Sequence, residues 1–228
     1  MANAEEYRRL NTRKASILSV GGFRPTFDPL APNFGAIPVG LQGEAWPFWE
    51  AKPLLFVCQL NLTTAPAVPA LLQDLKLITL FVKEDCDTLA EENGTDWCLR
   101  AYKTLDGLVP SIAPPGTPKV KKGFECRWEE CEDHPNPDDP DLVSVPGTRR
   151  PRSNFENVIR TKVGGYASTL QAEPWWDSRA HASQPKYCLQ INSEEKAGLF
   201  WGDGGTVYIA RGTAPGCEEQ WFLDWQSL

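Results

Sequence analysis

The 228-residue chain has a composition that excludes a disordered protein and disfavours a nucleic-acid-binding one. Hydrophobic residues make up 41% of it, and nine Trp and ten Phe can anchor a core and a recognition surface. The formal net charge of -7 is opposite in sign to the basic surface that nucleic acids normally require.

The predicted elements, taken in chain order, are mostly strands. A helix is predicted at 4–13 and a single helical turn at 68–74. Strands are predicted at 53–61, 75–82, 96–102, 185–192, 205–210 and 219–226. In the last strand Trp221, Leu223 and Trp225 alternate with other residues and therefore share one face. The pattern predicts an α+β fold dominated by β-structure.

The sequence favours a cytoplasmic protein without a membrane segment. Residues 1–14 are polar where a secretory signal would need an apolar stretch. The apolar runs at 54–58 and 77–82 are too short to span a bilayer. The seven cysteines are odd in number and irregularly spaced, which is no disulfide framework. We therefore expect free thiols, a cytoplasmic location and no contact with a membrane.

The two ends of the chain carry the same series of motifs in the same order. Each series opens with a pair of Gly, continues with a Trp-rich stretch and reaches a Gln within an apolar segment. These residues are Gly21, Gly22 and Gln59 in the first series, and Gly164, Gly165 and Gln190 in the second. The order indicates an internal duplication. We expect two pseudo-symmetric β-rich modules, residues 1–106 and 152–228, that form one compact unit.

Between these modules, residues 107–151 form a predicted connector rich in Pro and in acids. It holds nine of the twenty Pro, and residues 125–141 hold eight acids with Arg127 as the one base. This stretch is either a solvated loop neutralised by its basic flanks or an acidic arm that a basic partner grips. In the second interpretation Trp128 is an exposed aromatic anchor. The residues predicted to contact the partner are Trp128, Glu129, Glu130, Glu132, Asp133, Asp138 and Asp139.

No motif of known catalytic chemistry stands out in the sequence. The two histidines, His134 and His181, lie outside any pattern that could tune a general base. Cys126 and Cys131 could join His134 as three of the four ligands of a zinc ion, but the short Cys pair typical of such sites is missing. We therefore expect no enzymatic activity, no metal and no cofactor.

The densest motif is Trp201-Gly202-Asp203, which is followed by two more Gly. Asp can hydrogen-bond its own backbone and Gly accepts a positive φ, so the motif is typical of a turn. A cation or phosphate loop is the alternative, but it would need further carboxylates nearby. The motif therefore predicts a hairpin turn that leads into the strand at 205–210.

Taken together, these motifs resemble the YwqG-like family, a bacterial domain family of unassigned function. The resembling segments, in chain order, are 20–25, 46–47, 53–62, 162–166, 189–192 and 201–208. They extend over residues 19–210, apart from 107–151. Three departures are Thr26-Phe27-Asp28, where the family usually has Leu followed by Pro, Ala167, where Pro is common, and Asn192, where it has Asp.

The resemblance implies a binding protein. Members of the family occur beside secreted bacterial toxins, and some resemble the immunity proteins for those toxins. The resemblance therefore implies a cytoplasmic immunity protein that binds a basic toxin, such as a nuclease, one to one and occludes it. An acidic inhibitor is steered onto such a toxin. Two alternatives stay open: a small-ligand-binding or enzymatic protein with a site between the modules, and an interaction protein without a toxin.

Overall fold

A computed structural model describes residues 2–85, 89–148 and 155–227, and it consists mainly of short strands. The helices are α1 (Ala2–Asn11) and α2 (Trp175–Ser178), with 3-10 turns at Leu62–Thr64 and Ala70–Leu72. The strands of the first part are β1 (Arg13–Val20), β2 (Asn33–Phe34), β3 (Val39–Leu41), β4 (Phe48–Trp49), β5 (Lys52–Pro53), β6 (Leu55–Asn61), β7 (Leu77–Val82), β8 (Trp97–Tyr102) and β9 (Leu108–Pro110). The others are β10 (Phe124–Asp133), β11 (Lys162–Gly164), β12 (Lys186–Asn192), β13 (Thr206–Arg211) and β14 (Trp221–Gln226).

One antiparallel sheet of ten strands organises the molecule. Its strand order is β14-β13-β12-β11-β1-β10-β2-β6-β7-β8, and two-stranded sheets β3-β9 and β4-β5 lie outside it. The two ends of the large sheet meet, because Glu92 forms a bridge with Phe222 and the amide of Leu223 donates to the carbonyl of Glu91 at 2.9 Å. The sheet therefore nearly closes on itself around a common core.

The strands on the two sides of the central β1–β10 pair follow the same pattern. The order runs outward as β2-β6-β7-β8 on one side and as β11-β12-β13-β14 on the other. Gln59 pairs with Asn33 on one side, and Gln190 pairs with Lys162 on the other. The two central strands are crossed over. β1, which precedes β2 in the chain, pairs with β11, and β10, which precedes β11, pairs with β2.

The core fills the inner face of the sheet. Val57, Leu80 and Ile209 belong to one large buried cluster, together with the fully buried Trp97 and Trp201. Smaller clusters lie on the outer face, for example around Tyr208, Ala210 and Phe222. Adjacent residues of a strand point to opposite faces, so one strand can serve both layers.

The six strands predicted from sequence are all present, with ends that differ by one or two residues. The helix predicted at 4–13 ends two residues earlier, because the Asn11 side chain caps it by donating to the carbonyls of Tyr7 and Val143 at 3.0 and 2.9 Å. The alternation in β14 is confirmed, since Trp221 and Leu223 face the large core and Phe222 faces the outer cluster.

The central strands β1 and β10 were not predicted. β10 spans Phe124–Asp133, so the acidic stretch is not a solvated loop over that range. Its Cys126 and Trp128 face the core, while most of its charged residues stay exposed, and these charges hide the strand pattern in the sequence. The division into 1–106, 107–151 and 152–228 stays a prediction.

The register also changes the expected match between the two Gly pairs. Gly164 ends β11, and the residue at the same position after β2 is Gly35, not Gly21. Both have positive φ, +56° at Gly35 and +78° at Gly164. Gly21 instead follows β1. The two Gly pairs therefore occupy different positions in the sheet, whereas Gln59 and Gln190 occupy matching ones.

Helices that could cross a bilayer are absent from the described parts of the chain.

Candidate functional site

A groove of about 760 Å³ lies where β1 meets the loops around β11 and α2, and we call it the acidic groove. Arg13, Lys14, Pro69 and Leu71 of the first part of the chain line it, together with residues from 136 to 187. The volume lies within the range of about 300–1,000 Å³ that is usual for ligand pockets. Its charged lining residues are Asp138, Asp139, Asp141, Glu173 and Asp177 against Arg13, Lys14 and Lys186.

A buried ion pair supports one wall of the groove. Lys162 Nζ lies 2.7 Å from Asp133 Oδ2, and both side chains are fully buried. Asp133 also accepts from the amides of Val158 at 2.7 Å and Tyr166 at 2.8 Å, and Lys162 donates to Ser168 Oγ at 3.0 Å. Burial lowers the pKa of Lys162, and the charge of Asp133 opposes that shift. These contacts fix the loop that carries Tyr166.

Gly165 is required at the base of this wall. Its φ is +69°, and a Cβ atom there would lie 2.2 Å from Asp133 Oδ2. The missing side chain thus allows the carboxylate to reach the Tyr166 amide. The predicted structural role of Gly165 therefore has a physical cause in its contact with Asp133.

Tyr166 carries the most informative contact of the groove. Its ring lies under the guanidinium of Arg13, whose Cζ is 3.9 Å from the ring centroid, and Arg13 Nη2 lies 2.9 Å from Asp141 Oδ2. Tyr166 is 2% exposed and lines the groove, and its hydroxyl makes no hydrogen bond to any described residue. An aromatic face and a carboxylate therefore already hold one guanidinium here.

Four carboxylates of the groove have no ion-pair partner among the residues that the structure describes. They are Asp138, Asp139, Glu173 and Asp177. Burial in the groove raises the pKa of Asp177 to about 6; the charge of Lys186 opposes this shift, and nearby acids, Asp139 among them, add to it. Burial also raises the pKa of Asp139. Burial is the main cause of both shifts, and Lys186 at Asp177 and Arg13 at Asp139 oppose them only in part.

Gln59 and Gln190 act as clamps on loops, one in each series. Gln59 Oε1 accepts from the Val39 amide at 2.8 Å, and its Nε2 donates to the carbonyl of Ala31 at 3.0 Å. Gln190 Oε1 accepts from the Ser168 amide at 2.9 Å, and its Nε2 donates to the carbonyl of Arg160 at 3.0 Å. Both side chains are fully buried. Their predicted structural role follows from these bonds.

The remaining motif residues form turns. Trp201 is fully buried, and Gly202 has a φ of +53° with a Cβ position only 2.9 Å from Trp225. Asp203 is exposed within a turn. These residues end a long connection between β12 and β13, which is wider than the predicted hairpin turn. Gly21 and Gly22 form the bend after β1, both with positive φ.

The residues predicted to bind a partner do not form one surface. Asp133 is fully buried, so its expected contact with a partner is wrong. Trp128 is half-buried against the core and donates from Nε1 to the carbonyl of Asn61 at 2.9 Å, so it is not an exposed anchor. Along β10, Glu129 points to one face and Glu130 and Glu132 to the other.

Two of the predicted acids do line the groove, namely Asp138 and Asp139. Glu130 instead pairs with Lys14 at 2.8 Å, and Glu129 accepts from Ser19 Oγ at 2.5 Å. No motif in the sequence pointed to Asp177, which lies in the short helix α2. Tyr166 could have been found, because it directly follows a Gly pair.

The histidines and cysteines occupy structural positions. His134 is 5% exposed and packs on Phe155 with ring centroids 4.2 Å apart, so it is held more firmly than a solvated loop would allow. Burial raises the pKa of the Cys58 thiol, and that of Cys126 to about 12, as for inert core residues. No cluster of three or more potential metal ligands occurs within residues 2–85, 89–148 and 155–227.

A family model described as a domain of unknown function, DUF1963, matches residues 115–210 of the chain. The matched segment runs from before β10 into β13 and includes Asp133, Lys162 and most of the groove lining. No curated protein matches the chain. This similarity points to the second part of the chain and assigns it no activity.

Proposed function

We propose that the protein binds a basic partner protein and neutralises it by one-to-one occlusion. The observation that carries this proposal is the set of four groove carboxylates without an ion-pair partner among the described residues. A cationic surface that docked there would compensate them, and charge complementarity would accelerate the encounter.

We propose further that this partner is a secreted bacterial toxin domain, such as a nuclease, and that the protein is a cytoplasmic immunity protein. A nuclease must attract phosphate groups, so its surface is usually basic. The resemblance to the YwqG-like family supports the choice of a toxin, and placing the chain in that family is part of the proposal. The six described cysteines are free, which is compatible with a reducing compartment.

Co-expression with the product of the adjacent reading frame tests this function. We expect that product to arrest growth alone, and the two proteins to elute together as a one-to-one complex when they are co-expressed. Asp139→Asn with Asp177→Asn should reduce protection, whereas Asp106→Asn, an exposed acid outside the groove, should not. A product that is harmless and does not bind would overturn the immunity proposal.

A second candidate function is the binding of a small ligand between the two series of strands. It is favoured by one observation: the groove is lined by residues 13–71 on one side and by residues 136–187 on the other. Native mass spectrometry of the purified protein distinguishes the two functions. A stoichiometric bound molecule of a few hundred daltons would support the small-ligand function.

We also infer that the chain arose by duplication and that the two copies exchanged their first strands. The matching strand orders and the crossed pairs β1–β11 and β10–β2 support this inference. Each half then depends on the other for a central strand. Fragments cut at 115–120 should therefore be insoluble or unfolded alone and should associate when co-expressed. Independent folding of either fragment would contradict the exchange.

A further inference from the structure

The acidic groove offers a second place for a guanidinium beside the one that Arg13 already fills. Arg13 shows what the groove holds: a planar cation on the ring of Tyr166, paired with Asp141 at 2.9 Å. Asp139 and Asp177 lie on the same groove and are close enough for the charge of one to affect the other. Neither has an ion-pair partner among the described residues.

The hydroxyl of Tyr166 also belongs to the lining of this groove. The Tyr166 hydroxyl belongs to a side chain that is 98% buried, since only 2% is exposed, and it has no hydrogen-bond partner among the described residues. This hydroxyl is not among the buried polar atoms that lack a partner, so it stays accessible and a ligand in the groove could reach it. An N–H donor of a bound cation could donate a hydrogen bond to it.

We propose that the acidic groove binds one arginine side chain of the partner protein, with its guanidinium between Asp139 and Asp177 and within reach of the Tyr166 hydroxyl. Arginine fits better than lysine, because its planar fork can donate to two carboxylates and to a hydroxyl at once. Lys186 also lies on the groove and repels the incoming cation. This proposal rests on the proposed function, since it names the group of the partner that is recognised.

Titration of the ¹⁵N-labelled protein with the peptide acetyl-Gly-Arg-Gly-amide, followed by NMR, tests the site without the toxin. We expect saturable shifts of the amides of residues 164–177. The neutral peptide with citrulline in place of arginine should bind about tenfold more weakly or not at all, because it lacks the charge. Equal binding of the citrulline peptide, or shifts confined to other parts of the protein, would overturn the proposal.

Variants then separate the contacts. Asp139→Asn and Asp177→Asn should each weaken arginine binding about tenfold, and Tyr166→Phe about threefold, since the ring under Arg13 is kept while the hydroxyl is lost. Asp106→Asn is the matched control and should leave binding unchanged. The spectrum of each variant shows whether it is folded. Folded groove variants that bind like the parent protein would exclude the site.

Two further comparisons distinguish a protein side chain from a free small molecule as the ligand, and the arginine site from the immunity function. n-Butylguanidine carries the same guanidinium and the same single positive charge on a free small molecule, and tighter binding of n-butylguanidine than of the peptide would exclude a side chain of a protein as the natural ligand. The peptide titration can fail while the toxin still binds elsewhere, or succeed while the adjacent product is harmless. Failure of the arginine site and failure of the immunity function are therefore distinguishable.

Discussion

The two sides of the sheet each hold a loop through a buried Gln, but the residue paired with that Gln is neutral on one side and charged on the other. Gln59 and Gln190 occupy matching positions, and each holds a loop on the outer face of the sheet. Beside Gln59 lies the neutral Asn33, whose side chain bonds to neighbouring backbone: it donates to the carbonyl of Ala31 at 3.3 Å and accepts from the amide of Ala36 at 3.3 Å. Beside Gln190 stands Lys162, which is paired with the buried Asp133.

The two sides therefore differ in buried charge, although their strands pair in the same order. Neutral side chains are enough to hold a loop, as Asn33 and Gln59 show. A buried ion pair costs desolvation energy and is seldom needed for stability. Its presence on the side that carries the acidic groove suggests that it fixes the position of Tyr166, whose amide bonds Asp133. The family match at 115–210 covers the same side.

The largest expected loss of stability comes from breaking the ion pair between Asp133 and Lys162. Asp133→Asn should lower the free energy of unfolding by about 3–5 kcal/mol, because Lys162 loses its counter-charge while buried. Asn33→Ala, at the matching position of the other side, should cost about 1–2 kcal/mol through two lost hydrogen bonds. Urea unfolding curves measure both values.

A double variant sharpens this prediction. Asp133→Asn with Lys162→Met removes both charges, and a buried ion pair replaced by uncharged residues is often close to neutral. The double variant should therefore be more stable than Asp133→Asn alone. If the double variant is the less stable of the two, the pair does not act through its charges.

Smaller losses of stability are expected when Ala replaces either of two Gly residues that differ in their surroundings. Gly165→Ala should cost at least about 2 kcal/mol, because a positive φ of +69° is combined with a Cβ position 2.2 Å from the Asp133 carboxylate. Gly22→Ala should cost only about 1 kcal/mol, since its φ is +82° but nothing lies within 4 Å. Equal unfolding midpoints of the two variants would show that the contact with Asp133 is unimportant.

The strands could be predicted from the sequence better than the groove could. Strands such as β6 and β13 are apolar runs, so local pattern was enough to find them. β10 was hidden, because exposed acids interrupt its apolar positions. The groove could not be predicted, because Arg13 and Asp177 are far apart in sequence and meet only through the crossed pairing of the strands.

The binding of arginine should also depend on pH. Asp177 has a pKa of about 6, raised by burial and by Asp139, Asp141 and Glu173, while Lys186 lowers it. Its carboxylate is ionised above that pH and neutral below it, so a cation binds more tightly at pH 7.5 than at pH 5. We expect binding of the arginine peptide to weaken several-fold between these values. Asp177→Asn should flatten this dependence, and an unchanged pH profile in that variant would assign it to another group.

The smallest effect should come from the acids of β10, which the sequence had placed at the interface. Glu129 and Glu132 point to opposite faces of the sheet, so they cannot both face one partner. Glu129 is also engaged by Ser19, and its 4.0 Å contact with Arg160 is exposed and worth little. Glu129→Gln with Glu132→Gln should therefore change binding of the arginine peptide by less than about twofold, as expected for charges that act only at long range. The same titration of Asp139→Asn provides the comparison, because its carboxylate lies on the groove. A loss in the β10 variant as large as that in Asp139→Asn would move the site from the groove to the strand.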